Sequence, residues 1–333
     1  MTAPLRTRRL LATVVSCAAA ALTLAACGGG AQNVTGDDGR IALTLATVAT
    51  DSCAQSFIGE KQGIFAAHGI DVTLDVVAGV PELAAAVTSG QADLACSAPT
   101  AVASGINQGL PFTMIAPGIE YRKDNPGSFL MTPAGSSITS VSQLAGTTLA
   151  VNALNTLPHL STMAMLQDAG VDPASVTFVN LAFPNIGQAL ETGQVQSGVL
   201  QPPYQDDMEA NGGRKLASPY DAVNGGNPFV YTVWFGTKDF AAQNPAAVTA
   251  IQEAMAEVST WSNDPANADT RRAILAGATG QDPAVVARSA LSYYGTELTP
   301  ELIQSQLDLQ RRFGTLPKEL NAADLITAAP ATS

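Results

Sequence analysis

Histidine is nearly missing from this 333-residue chain, which carries only His68 and His159. Metal centres and acid–base triads draw heavily on imidazole, so neither has much material here. A Gly-x-Ser-x-Gly elbow, a His-Glu-x-x-His helix, a Cys-x-x-Cys pair and a Gly-Lys-Ser/Thr phosphate loop are all absent as well. Basic side chains are scarce, with 16 Lys and Arg against 28 Asp and Glu. That field repels a phosphate backbone and argues against nucleic-acid binding. The acidic residues are scattered rather than clustered, as on an ordinary solvated surface. No catalytic residue, metal or cofactor is therefore expected.

Four cysteines are present: Cys17, Cys27, Cys53 and Cys96. Arg6, Arg8 and Arg9 precede an apolar run from Leu10 to Ala26, shorter than the roughly 20 residues of a spanning helix. The run closes on Leu24-Ala25-Ala26-Cys27, which resembles the lipobox of bacterial lipoproteins. The resemblance implies cleavage before Cys27 and lipid on the new terminal cysteine. Residues 1–26 are then a signal peptide, and the protein is anchored outside the cytoplasm on the outer face of the cell membrane. Arg8-Arg9-Leu10-Leu11 faintly echoes a twin-arginine signal, but general secretion is the expected route. Cleavage leaves 307 residues with 13 basic against 28 acidic groups, a formal charge of −15. The glycine-rich, polar stretch 27–39 reads as a flexible tether, and 321–333 as a frayed tail. Cys53 and Cys96 remain, an even pair in an oxidising compartment, which makes a disulfide plausible.

The chain also repeats itself. Pro81, Gly90 and Pro99 recur as Pro184, Gly193 and Pro202, each at an offset of 103. Gly69 recurs as Gly170, at 101. One register across so many landmarks indicates two copies of one unit. In the first copy, strands are expected over Ile41–Val48, Val72–Val76 and Ala92–Cys96. Helices are expected over Ala54–His68, Pro81–Ser89 and Pro99–Asn107. The second copy reads as strands Thr147–Val151, Ser175–Asn180 and Val195–Leu200, with helices Thr156–Ala169, Pro184–Glu191 and Pro202–Asn211. Each is a parallel strand–helix alternation. Extended runs at Pro111–Gly118, Ser128–Thr132 and Asn227–Phe235 are candidates for connections between the copies. Trp234 in the last run suits hinge packing. Four helices close the chain, over Asn244–Ser262, Ala266–Leu275, Pro283–Tyr293 and Thr299–Phe313, and should pack on the first lobe.

In parallel sheets ligands bind beyond the carboxyl ends of the strands. Six loops occupy such places and should line one cleft. Asp51, Ser52, Cys53, Gly79, Ser97, Ala98 and Thr100 come from the first copy. Asn152, Asn155, Thr156, His159, Phe183, Gln201 and Tyr204 come from the second. Asp51, Asn152, Asn155 and Thr156 can instead cap helices, and His159 can simply face solvent. Phe183 and Tyr204 can sandwich a flat group or belong to the core. His68, at a helix end beside Gly69, suits a cap-and-dipole role. None of the six loops contains Arg or Lys.

The order of motifs resembles a known family. Gly63-Ile64-Phe65-Ala66-Ala67-His68-Gly69-Ile70-Asp71-Val72, Thr88-Ser89-Gly90-Gln91-Ala92-Asp93-Leu94 and Val141-Ser142-Gln143-Leu144-Ala145-Gly146-Thr147-Thr148-Leu149-Ala150-Val151 carry the resemblance, with Ala169-Gly170-Val171-Asp172. They are similar to solute-binding proteins of ABC importers for nitrate, sulfonates, taurine and thiamine-type pyrimidines. The resemblance extends over roughly Leu43 to Ala210. It implies an α/β, two-lobed type II periplasmic-binding-protein fold with two crossover strands. Lobe I would span 40–130 and 233–320, and lobe II 131–232. It implies a monomer that captures a small solute and hands it to an ABC permease and its ATPase. Strand order in such sheets runs second, first, third, which would bring Cys53 and Cys96 together as a disulfide at the cleft rim. The neutral loops favour an uncharged or heterocyclic nutrient over sulfonate, taurine or nitrate. The alternatives are a lipid-anchored enzyme of the same fold and an adhesion or signalling lipoprotein. A pyrimidine-synthesising enzyme shares the fold but carries a cysteine-rich motif absent here.

Overall fold

The structure, a computed structural model, describes residues 34–77, 79–202 and 204–327. Cys27, the signal segment, residues 27–33 of the expected tether, Ala78, Pro203 and the last six residues lie outside the described residues. The first copy runs β1 (Ile41–Thr47), α1 (Gln55–Lys61), α2 (Ile64–Ala67), β2 (Ile70–Val76), α3 (Val80–Ser89), β3 (Leu94–Ser97) and α4 (Pro99–Asn107). The connecting stretch holds β4 (Phe112–Pro117), β5 (Glu120–Tyr121) and β6 (Phe129–Thr132). The second copy runs β7 (Thr148–Val151), α5 (Leu157–Asp168), β8 (Thr177–Asn180), α6 (Phe183–Glu191), β9 (Ser197–Leu200), α7 (Tyr204–Ala210) and β10 (Arg214–Ala217). The chain then returns through β11 (Phe229–Val230) and β12 (Val233–Thr237). It finishes with α8 (Lys238–Gln243), α9 (Pro245–Asn263), α10 (Ala268–Thr279), α11 (Pro283–Val286) and α12 (Glu301–Arg312).

Two five-stranded sheets result, ordered β2-β1-β3-β12-β4 and β10-β6-β9-β7-β8. Each has three parallel strands in second-first-third order, flanked by an antiparallel fourth. The internal repeat is thus a repeat of topology. Pro81 and Pro184 both fall in the first turn of the helix after the second parallel strand. Gly90 and Gly193 both turn the chain just past that helix with φ of 76° and 73°, a conformation that penalises any Cβ. Alternation within strands divides each core in two. Leu43 and Leu45 of β1 face one cluster, whereas Ala46 faces the opposite one. In β7, Leu149 and Val151 face one side and Ala150 the other. Helices therefore cover both faces of both sheets, as a buried parallel sheet demands. A small sheet, β5 with β11, joins the two connections between the copies.

Several local expectations are corrected. The helix expected over Ala54–His68 breaks at Gly63, whose φ of 71° ends α1 and starts α2. The helix expected over Pro283–Tyr293 stops at Val286. Beyond it the backbone is claimed elsewhere: Tyr293 O accepts from Glu120 N–H, and Tyr294 bridges Ile119. The frayed tail is anchored over 321–327, where Thr327 N–H and Met114 O lie 2.8 Å apart and Leu325 is buried. Residues 34–39 are a turn held against β1 rather than a free tether, because Ala42 N–H donates to Val34 O and Thr35 bridges Ile41. Of the closing helices, α9 packs on α1 through Ser259, whose hydroxyl accepts from Gln55 Nε2 at 2.9 Å. Gln55 Oε1 in turn accepts from the indole of fully buried Trp234. Helix α12 reaches α4 through Gln310, and it also touches α5, where Arg312 donates to Gln167. Among the described residues no helix is long and apolar enough to cross a membrane.

Candidate functional site

The carboxyl ends of β1, β2 and β3 face those of β7, β8 and β9 across a cleft with two connected chambers. The larger encloses about 390 Å³ and the smaller about 150 Å³. Thr50, Ser52, Phe183, Gln201 and Tyr231 line both. The large chamber lies within the usual range for small-molecule pockets. Ser52, Cys53, Gly79, Ser97, Ala98, Thr100, Asn152, Asn155, Thr156, Phe183 and Gln201 line it. Asp51 and Tyr204 line the small chamber. His159 lines neither.

Each polar group has a traceable situation. Asn155 adopts φ of 61°, a left-handed conformation that asparagine tolerates better than most side chains. Its N–H donates to His159 Nδ1 at 3.0 Å. His159 is buried edge-on against Phe178, and burial pushes its pKa below the ordinary value. It is thus a buried residue rather than a surface one, and its Nδ1 accepts the hydrogen bond that pins the loop. Thr156 sits at the N-cap position of α5, yet its hydroxyl donates back to Ala153 O. Asn152 Oδ1 is buried without a hydrogen-bond partner, an unmet acceptor at the chamber wall. Gln201 Nε2 donates to Tyr220 OH at 3.0 Å. Burial raises the Tyr220 and Tyr231 phenols, keeping both neutral. Phe183 and Tyr204 do not stand apart to sandwich a flat group. They stack on each other, with centroids 6.1 Å apart and planes 17° from parallel.

Asp51 differs most from expectation. It neither caps a helix nor stands free for a ligand. Its carboxylate accepts from Arg271 Nη2 at 3.1 Å and from the Ser292 hydroxyl at 2.5 Å. Tyr294 OH donates to Asp51 O at 2.8 Å, and the Arg271 guanidinium lies over the Tyr294 ring. Arg271 is 2% exposed and donates further to Ser262 O and Ser292 O. Local reading of the loops missed this cation because it comes from α10. The available signal was its place four residues before Leu275, on the buried stripe of that helix. Tyr220, Tyr231 and Thr232 were also missed as lining residues, although the last two fall inside a segment read as a connection.

Cys53 and Cys96 are disulfide-bonded, with Cα atoms 5.8 Å apart, and both line the large chamber. The second-first-third strand order is what sets their loops side by side. Among the described residues no group of three or more His, Cys, Asp or Glu could hold a metal ion.

Residues 51–268 match the family described as NMT1/THI5 like. The chain belongs to that family. It is 26% identical over 179 residues to the taurine-binding periplasmic protein of Escherichia coli (strain K12), a match covering 51% of this chain and 53% of the relative. The chain thus spans about half the length of that relative. The crystal structure of the periplasmic aliphatic sulphonate binding protein SsuA from Escherichia coli superposes with a TM-score of 0.71 at 16% identity, covering 86% of this chain and 97% of that one. The desulfurization enzyme DSZB superposes with a TM-score of 0.61 at 14% identity, over 86% of this chain and 96% of that one. At such identities the two structures establish the periplasmic-binding-protein fold of this family member and nothing of its ligand.

Proposed function

We propose that this family member is the solute-binding component of an ABC importer, held outside the cytoplasm by lipid on Cys27. The observation that carries the reading is the cleft itself: loops from both sheets line the same two adjoining chambers, which hydroxyls, amides and aromatic side chains line. Such a lining can grip a small molecule, and its one hydroxyl–carboxylate contact among the described residues, Ser292 to Asp51, is already tied to the Arg271 guanidinium, which weighs against the enzyme reading that the DSZB fold raises. Lobe I would comprise 40–130 with 233–320, and lobe II 131–232. They would open and close about the β5–β11 connections, and a solute touching both would favour the closed form that a permease recognises. The taurine-binding relative supports this reading.

The solute is an uncharged or heterocyclic organic compound of the thiamine-pyrimidine kind. Support comes from the lining, which among the described residues holds no Lys or Arg, while the nearby Arg271 is committed to Asp51. Sulfonates and taurine are the second reading. It is favoured by the N-termini of α4 and α5, whose Thr100 and Thr156 line the large chamber. Backbone N–H groups at such termini favour an anion. A thermal-shift and calorimetric screen of pyrimidines, taurine, alkanesulfonates and nitrate separates the two. Stabilisation by pyrimidines is expected, stabilisation by sulfonates alone reverses the choice, and a screen without any binder sinks the importer reading for these classes.

A further inference from the structure

Asn152 stands apart among the residues that line the cleft. It is the first residue past β7, and its loop is already bonded around it. Thr156 Oγ1 donates to Ala153 O, and Asn155 N–H donates to His159 Nδ1. The Asn152 carboxamide takes no part in this. Its Oδ1 is buried without a partner, and its Nδ2 has none among the described residues. Other buried side-chain polar atoms also lack partners, but none of those belongs to a residue lining either chamber. An acceptor that has left water and gained no donor is a loss that folded proteins seldom accept. In a chamber wall the missing donor can come from a solute.

An unbonded carboxamide offers a donor and an acceptor side by side in one plane. No hydrogen bond fixes either end, so the group can turn within its broad χ2 well and present both atoms together. Its complement is an edge with an N–H beside a carbonyl or a ring nitrogen, which pairs with it through two bonds, as adenine does with asparagine. An anionic head group carries acceptors alone and meets only half of the carboxamide. The surroundings suit a planar ring, because Phe183, Tyr220 and Tyr231 line the same chamber. The first copy supplies a free group of its own. Thr100, in the first turn of α4, is 3% exposed and lines this chamber, and its hydroxyl makes no hydrogen bond among the described residues. One solute can therefore bond to both copies.

We propose that Asn152 is the specificity-determining residue of the large chamber, and that it selects a neutral heterocycle with an N–H donor next to an acceptor on one edge, as in a lactam. The proposal rests on the solute-binding reading above and deepens it. Asn152 supplies both halves of the pairing, and Thr100 bonds the same solute from the first copy.

The test uses 2-pyridone, which has one lactam edge, and N-methyl-2-pyridone, which keeps the ring and carbonyl but has no N–H. Each is titrated into ¹⁵N-labelled wild type and Asn152→Leu, with Asn152→Ala serving if leucine disturbs the fold. Wild type should bind 2-pyridone saturably at millimolar concentration, with shifts of the Asn152 side-chain amide signals. It should prefer 2-pyridone to the N-methyl compound at least about tenfold. In the variant that preference should vanish, while the melting temperature holds or rises because an unpaired buried acceptor has gone. Equal binding of the two compounds by wild type, a preference that survives in the variant, or no binding of 2-pyridone overturns the proposal. A sulfonate that stabilises the protein while 2-pyridone fails to bind removes this subsite and leaves the importer reading intact. Only a cleft that binds neither sulfonates nor heterocycles removes both.

Discussion

Replacing Asp51 by Ala strips a buried arginine of its counter-charge. Arg271 is 2% exposed, and the Asp51 carboxylate 3.1 Å from its Nη2 is its only ion-pair partner among the described residues. The remaining partners, Ser262 O and Ser292 O, are neutral carbonyls, and its Nε has none. Breaking a buried pair from one side costs about 3–5 kcal/mol, because the orphaned charge keeps its desolvation penalty and loses its attraction. For a chain of this size that corresponds to a fall in melting temperature of roughly 6–20 °C. Urea denaturation of wild type, Asp51→Ala, Arg271→Met and the double variant supplies the thermodynamic cycle. The double variant should be more stable than Asp51→Ala, since it removes the stranded charge with its partner. If Asp51→Ala loses less than about 1 kcal/mol, or the double variant loses the sum of both singles, the pair is not coupled as described.

Cys53 and Cys96 should resist thiol labelling in the denatured, unreduced protein. Removing both by serine substitution should cost about 4 kcal/mol, the closure entropy of a loop spanning a separation of 43 residues, readable as a lowered denaturation midpoint. A free thiol at either position refutes the pairing. His159 gives a pH dependence of definite sign. Burial lowers its folded-state pKa below the ordinary 6.5. Its contribution is therefore fully present above pH 6.5 and is lost as pH falls through the depressed folded-state value, when Nδ1 can no longer accept from Asn155 N–H. Denaturation midpoints between pH 7.5 and pH 5 should fall for wild type and flatten in His159→Gln. An equal acid-side loss in both excludes His159 as the source.

The offset of 103 carries most of the architecture, because a duplicated unit duplicates its strand order. Once Pro81 and Pro184 share a register, both parallel cores and the six rim loops are placed. Strand and helix ends shift by a few residues where hydrogen bonding outranks composition, as at Gly63, whose left-handed φ divides one expected helix into two. What resisted local reading came from contacts distant in the chain. Arg271 and Arg272 are adjacent, yet the first is buried against Asp51, 220 residues away, and the second bonds exposed Asp269. Nothing in the dipeptide distinguishes them. The same holds for 287–295, whose helical composition yields to bonds from Glu120, Asn125 and Asp51. His159 was legible as a residue near the cleft, but its turn away from the chamber depended on the conformation of Asn155.

Strand β12 lies between β3 and β4, pairing antiparallel with both. A nascent chain therefore completes its halves in reverse order of their first appearance. Strands β6 to β10 are contiguous in sequence and can assemble as soon as Ala217 has been made. Leu94–Ser97, paired with β1 on one side, keeps its other edge open, and Phe112–Pro117 has no strand of this sheet beside it, until Val233–Thr237 arrives more than a hundred residues later. Any truncation upstream of Val233 leaves that sheet split in two.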